Sequence, residues 1–311
     1  MGNNEKVSRN IYYYDVAAIT SDENGKVVRN QAGVIRNAFE RIKEVNTLIS
    51  KCSDEDTRKE ILKEIVYKTS KDDNIYFVVD ELEDGKPIKF RMVLCRLGAL
   101  PYIEKNGQLS NITSEVEGDF TVAEVTHCVI FPEQGVMGAE FNFSGARPST
   151  VVHYIPKVYP DIPVFSCNGK LRNDVFKRIS EDKDYSLFEI AVRNTAEMRT
   201  VLRDQMGLIG AFFDTIPEVD VYEIKMKRRK GKNKSGFESP ASRLEMQNIV
   251  KEHRDDIERF KVSQGVYSDS IDLLRDNMVC HQQFVITENK AINSDHMYEV
   301  IISFYNSVVA E

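Results

Sequence analysis

At 311 residues the chain suits one large domain or two ordinary ones, and it can bury most of its apolar surface without metals or disulfides. Its composition, 41% hydrophobic and 29% charged, is that of a soluble globular protein, and five scattered cysteines with no C-x-x-C argue against a disulfide framework. No run approaches the roughly 18 apolar residues of a spanning helix, and the polar start "MGNNEKVSRN" has no signal-peptide core. Lys6 stands where myristoylation would want Ser or Thr, so a cytoplasmic location is expected.

In chain order, "IYYYDVAAI" (11–19) reads as an aromatic, β-branched strand. Ile35, Phe39, Ile42, Val45 and Ile49 then recur at helical spacing. A second helix is expected from Ser53, its first turn favoured by Asp54, Glu55 and Asp56. "NIYFVVDEL" and "KPIKFRMVLCRL" flank Asp84-Gly85, a hairpin turn. "PYIEKNGQLS" reads as a loop. "FTVAEVTHCVIF" and "VMGAEFNFS" form a further hairpin around 132–135, and Ser149 caps a short helix ending at Pro156.

Later, helices are expected over 170–179 and from Asn194, with Glu197 completing a capping box. The strand "YSLFEIAVR" lies between them, and "VDVYEIKMKRR" follows the second. A helix starting at Pro240 is expected to carry Leu244 through Phe260. A last strand near "NMVCHQQFVI" leads to a closing helix capped by Ser294, whose apolar stripe would support self-association as a homo-oligomer. The fold class is α+β, with mixed, largely antiparallel sheets and packed helices. Pro156, Pro160 and Pro163 suggest a boundary, giving a 1–160 region and a 161–311 region.

The densest chemical signal is cationic. Seven of the ten residues 225–234 are basic: Lys225, Lys227, Arg228, Arg229, Lys230, Lys232 and Lys234. The chain's net charge is −7, so removing seven positive charges leaves −14 for the remainder. Such a block suits a DNA or RNA backbone, an acidic protein or an anionic membrane surface; a solvated loop shielding an edge strand is the plain alternative. Lys170, Arg172, Lys177 and Arg178 would extend the patch.

Glu223-Ile224-Lys225 is an E-x-K on a strand, with Asp214 upstream. In restriction-type nucleases an Asp and such a Glu hold Mg²⁺ while the Lys stands near the attacking water, so Mg²⁺ would be needed only on that alternative. His127-Cys128 and Cys280-His281 point to opposite faces of their strands and make poor chelators; no metal site is expected from them.

If the loop between the two strands of the 120–144 hairpin has an even length, His127 falls opposite Glu140, with Asn142, Arg147 and Ser149 beyond. That would gather an acid–base pair, an amide and an anion-binding Arg. The stretch carrying His127, Glu140, Asn142, Gly145, Arg147 and Ser149, together with "IDLLRDNMV" and the closing helix, resembles an uncharacterised bacterial family over about half of the chain. The resemblance implies a setting in mobile elements and anti-phage defence loci. It implies no activity for these residues. The expectation is a nucleic-acid-binding sensor or binding subunit of an antiviral system, with a protein partner from the same operon.

Overall fold

The computed structural model describes residues 5–21, 27–29, 32–98, 101–115, 120–172, 174–211, 219–228, 236–265, 270–288 and 291–309. The elements are β1 (Lys6–Ser21), β2 (Val27–Val28), α1 (Ala32–Lys51), α2 (Glu55–Lys63), β3 (Tyr67–Lys68), β4 (Asn74–Glu81), β5 (Ile88–Arg96), β6 (Tyr102–Lys105), β7 (Gln108–Asn111), α3 (Ile112–Glu115), β8 (Val122–Phe131), β9 (Val136–Glu140), α4 (Val151–Val158) and β10 (Val164–Gly169). Then come β11 (Tyr185–Arg193), α5 (Ala196–Ala211), β12 (Val221–Lys227), α6 (Arg243–Glu252), β13 (Ile257–Gln264), β14 (Ile271–Asp272), β15 (Val279–Val285) and α7 (Ser294–Val309). The class is α+β, with largely antiparallel sheets. No helix among the described residues is long and apolar enough to cross a membrane.

Two compact units emerge, Met1–Lys170 with Val279–Glu311, and an inserted Leu171–Met278. The prolines had suggested one break at 156–163. The chain instead stays in the first unit through β10, and after the insert it returns to the same sheet as β15. Proline punctuation marks irregular backbone; it does not report which sheet the next strand joins.

The first unit is built on β1. Its first half pairs with β15, from Lys6↔Val285 to Tyr12↔Val279, and its second half with β10, from Tyr14↔Gly169 to Ile19↔Val164. The other side of β1 pairs with β9, and the sheet continues through β8, β5, β4 and β3. The strand period of two assigns the faces. Val16, Ala18, Phe77, Phe90, Ile130 and Met137 share one core with Ile35, Phe39 and Ile42 of α1 and Tyr154 and Ile155 of α4. Tyr154 stacks on Phe77 at 3.7 Å between centroids, and its hydroxyl accepts the Phe77 N–H at 3.1 Å and donates to Ile65 O at 2.8 Å.

On the opposite face lies α7. The Tyr13 hydroxyl donates to Ile301 O at 2.7 Å, and Tyr305 meets Phe131 at 4.2 Å between ring centroids. Gly138 is where the helix comes closest: a Cβ there would overlap Ile301 Cγ2 and sit 2.9 Å from Tyr13 Cε1. Met297, Tyr298, Ile301 and Tyr305 are buried. The apolar stripe expected to support self-association is therefore spent inside this unit.

In the second unit the order is β12-β11-β13-β14, all antiparallel. Phe188, Ile190, Val192, Phe260 and Val262 form one core with Met198 and Leu202 of α5 and Met246 and Ile249 of α6. The other face of this sheet is charged.

Several local expectations shift. Ile257 and Phe260, three apart, read as helical, yet α6 stops at Glu252 and both lie on β13, whose bulge opposite Ala191/Val192 disturbs simple alternation. Among the described residues of 170–179 there is no helix: Leu171 bridges Asn277 and residues 174–178 make turns. Asp54 caps α2, accepting the Thr57 N–H. Thr195, whose Oγ1 accepts the Met198 N–H, does the work expected of Asn194, while the Asn194 N–H is taken by Asp220 O. Ser242 and Glu245 form the capping box of α6, three residues later than expected. "PYIEKNGQLS" is the hairpin β6–β7, turned by Asn106 and Gly107 at φ 54° and 82°, a pair that suits a primed turn.

Candidate functional site

The cationic block begins on β12. Glu189 of the central strand β11 lies opposite Lys225 on one side and Lys261 on the other, with Arg259 and Glu223 in the next row. Lys225 Nζ lies 2.7 Å from Glu189 Oε2, and Arg259 Nη1 reaches Glu189 Oε1 at 2.8 Å and Glu223 Oε1 at 3.4 Å. The Glu189 carboxyl is held below the usual carboxylate range by the hydrogen bonds from Lys225 and Arg259, which outweigh its burial. These are cross-strand charge pairs. Lys225 is thus a rung of the sheet, unlike the phosphate ligand expected of it.

The same ladder bears on the E-x-K. Glu223 and Lys225 do share a face, and the Arg259 guanidinium reaches both Glu223 and Glu189 on it. Asp214 lies outside the described residues. Among the described residues no group of three or more His, Cys, Asp or Glu is arranged to hold a metal.

Beyond Lys225 the side chain of Lys227 is exposed, and the Arg228 N–H donates to Ser186 O at 2.9 Å. Arg229, Lys230, Lys232 and Lys234 lie outside the described residues. On the far side of the segment the Gly236 N–H donates to Asp184 Oδ2 at 2.9 Å, and Phe237 bridges Tyr185 through two backbone bonds. Both ends of the cationic segment are therefore pinned at the start of β11. Lys170 pairs with Asp15 in the first unit, while Arg172 pairs with Asp174 and Arg178 with Asp276 in the second.

The hairpin expectation holds at its register. Phe131 pairs with Val136 across a four-residue loop closed by Gly135 at φ 60°, Cys128 pairs with Ala139, and His127 falls opposite Glu140. His127 Nδ1 lies 2.7 Å from Glu140 Oε2, and Arg9 Nε donates to Glu140 Oε1 at 2.9 Å. Both side chains are nearly sealed, at 8% exposed for His127 and 3% for Glu140. Burial pushes the Glu140 carboxyl up, but the hydrogen bonds and charge of His127, with the Arg9 bond, hold it below the usual range.

The third partner was not foreseen. His127 Nε2 lies 2.9 Å from Ser294 Oγ at the first turn of α7. Ser294 was expected to cap that helix. Instead Asn293 does so, its Oδ1 accepting the His296 N–H, which leaves the serine hydroxyl for the histidine. One turn on, the Tyr298 ring meets the His127 ring edge-on at 5.8 Å, and its hydroxyl donates to Asp80, which Arg91 holds through two nitrogens.

Asn142, Arg147 and Ser149 do not join this group. Asn142 Nδ2 donates to Val125 O at 2.9 Å, and its Oδ1 accepts the Ser144 N–H, so it shapes the turn. The Arg147 guanidinium lies over Phe141 at 4.8 Å and Phe143 at 5.8 Å. Ser149 is exposed within a 3-10 turn, Pro148–Thr150, ahead of α4. Cys128 faces the opposite core from His127, and His281 bonds Asn10, so neither His–Cys pair chelates. Comparison of the chain with protein-family models, curated proteins and solved structures found no match.

Proposed function

We propose that the second unit binds nucleic acid through the segment between Lys227 and Gly236, as a sensor or binding subunit. The observation that supports this is one of charge and anchorage together. Seven of ten residues are cationic, Lys225 is engaged by Glu189 in the ladder, and the described residues on both sides of the segment are tied to one end of β11. A short excursion anchored at both ends loses less entropy on binding than a free tail. Several Lys and Arg against phosphates displace condensed counterions, which makes affinity fall steeply with salt. An anti-phage setting is part of the proposal and draws only on the resemblance of the His127–Ser149 stretch.

For the nuclease alternative, Glu223 is engaged by Arg259 and Asp214 lies outside the described residues. The test is binding of duplex DNA and of single-stranded RNA across a salt series. Changing Lys227, Arg229, Lys230 and Lys232 together to Ala should flatten the slope of log K against log salt by up to about 3.6 for duplex DNA, near 0.9 per lost phosphate contact. Lys225→Ala should leave the slope unchanged. Failure of the native protein to bind either nucleic acid at low salt would end the proposal, as would an unaltered slope in the fourfold variant. Capture of an acidic partner protein in place of nucleic acid would mark the block as a docking element.

A further inference from the structure

Three side chains from distant parts of the chain line up in the first unit: Ser294 Oγ, 2.9 Å to His127 Nε2, then His127 Nδ1, 2.7 Å to Glu140 Oε2. We propose that Ser294, His127 and Glu140 form a nucleophilic triad that hydrolyses carboxylic esters or amides, an activity separate from the nucleic-acid contact of the second unit.

Hydroxyl, imidazole and carboxylate are joined through the correct nitrogens, one on each side of the ring. Because a serine hydroxyl is a weak nucleophile, it needs a base within hydrogen-bond reach, held by a third group. The structure supplies each requirement by a separate device. Hairpin register puts Glu140 opposite His127. The carboxylate, accepting from His127 through Oε2 and from Arg9 through Oε1, has both oxygens fixed. That fixes which tautomer serves: Nδ1 carries the proton toward Glu140 and Nε2 is left to accept from serine. The Tyr298 edge closes one side of the ring, and Tyr298 is itself tethered to Asp80. Arg91 lies opposite His127 on β5, engaged by Asp80.

Ser294 is placed to react. It is partly exposed, while its base is buried. With Asn293 as cap, its hydroxyl is not committed to the helix. In the first turn of α7 Asn293 takes the His296 N–H through Oδ1 and the Met297 N–H through its backbone O, and the positive end of this sixteen-residue helix lies beside the atom that would bear developing negative charge.

The reaction balances without a cofactor. Ser294 Oγ attacks the acyl carbon while its proton passes to His127 Nε2. The resulting oxyanion collapses, the bond to the leaving alcohol or amine breaks, and His127 returns the proton to that group. Water then attacks the acyl-serine, giving its proton to His127. Collapse releases the carboxylic acid, and the proton goes back to Ser294 Oγ. Ser294 and His127 are the catalytic residues. Glu140 and Arg9 position them.

The test uses the full chain. An alkyl fluorophosphonate probe should label Ser294, seen by mass spectrometry on the peptide beginning at Ala291, and p-nitrophenyl acetate or butyrate should be hydrolysed. Ser294→Ala should abolish both at unchanged melting temperature, since Asn293 still caps the helix. Should His127→Gln fail to fold, Ser294→Ala alone decides. Glu140→Gln should slow turnover by roughly 10³-fold or more with KM unchanged, a split that a merely structural carboxylate would not give. A folded native protein that neither takes the label nor turns over ester overturns the proposal; so does label or turnover that survives Ser294→Ala.

Discussion

Replacing Gly138 by Ala tests how α7 is seated on the sheet. A methyl there overlaps Ile301 Cγ2 and comes within 2.9 Å of Tyr13 Cε1. Neither neighbour can yield easily: Ile301 is β-branched and fully buried, and Tyr13 is fully buried with its hydroxyl committed to Ile301 O. Overpacking of this kind costs about 1–3 kcal/mol, against which Ala gains about 0.5–1 kcal/mol over Gly from the reduced freedom of the unfolded strand. The net loss of about 1–2 kcal/mol should lower Tm by roughly 2–8 °C for a unit of this size. Scanning calorimetry is the assay, since the two units can melt separately and only the transition of the unit containing α7 should move. Ile301→Ala removes the clashing methyl, so adding Gly138→Ala to that background should cost less than it does alone, by at least about 0.5 kcal/mol. Strict additivity, or a native-like Tm for Gly138→Ala, would show that the helix does not sit where Tyr13 and Ile301 place it.

Tyr154→Phe removes a hydroxyl that both accepts from Phe77 N–H and donates to Ile65 O in a sealed core, and should cost about 1–3 kcal/mol with the stacking on Phe77 retained; urea denaturation reads it, and a shift under about 0.5 kcal/mol would contradict the two bonds. Glu140 has a folded pKa below the ordinary 4.5, so its stabilisation is fully present above about pH 4.5 and is lost as pH falls through the folded value. The Tm gap between the native protein and Glu140→Gln should therefore be wide at neutral pH and close in acid, and a gap that does not change with pH would count against the ion-paired carboxylate.

Local chemistry was legible wherever it acts between near neighbours. The stripe from Ile35 to Val45, the Asp84-Gly85 turn and the even loop at 132–135 each follow from side-chain period or turn geometry, and the last of these fixes His127 against Glu140. Helix starts were less so, because "SDED", "RNTAE", "SPASRLE" and "NSD" each offer several capping side chains and tertiary contacts choose among them. At α5 Thr195 capped in place of Asn194; Asn293 capped α7, so Ser294 was released.

By itself the sequence determined the fold class, most strand and helix identities, the charge concentration at 225–234 and the register of one hairpin. It could not say that β10 and β15 flank the same strand, that Glu189 would take up Lys225, or that a serine 167 residues from His127 would meet its ring. Those are tertiary pairings, the last of them set when α7 buries its apolar stripe on the free face of the first sheet, and a periodicity records only that a face is buried, never what covers it.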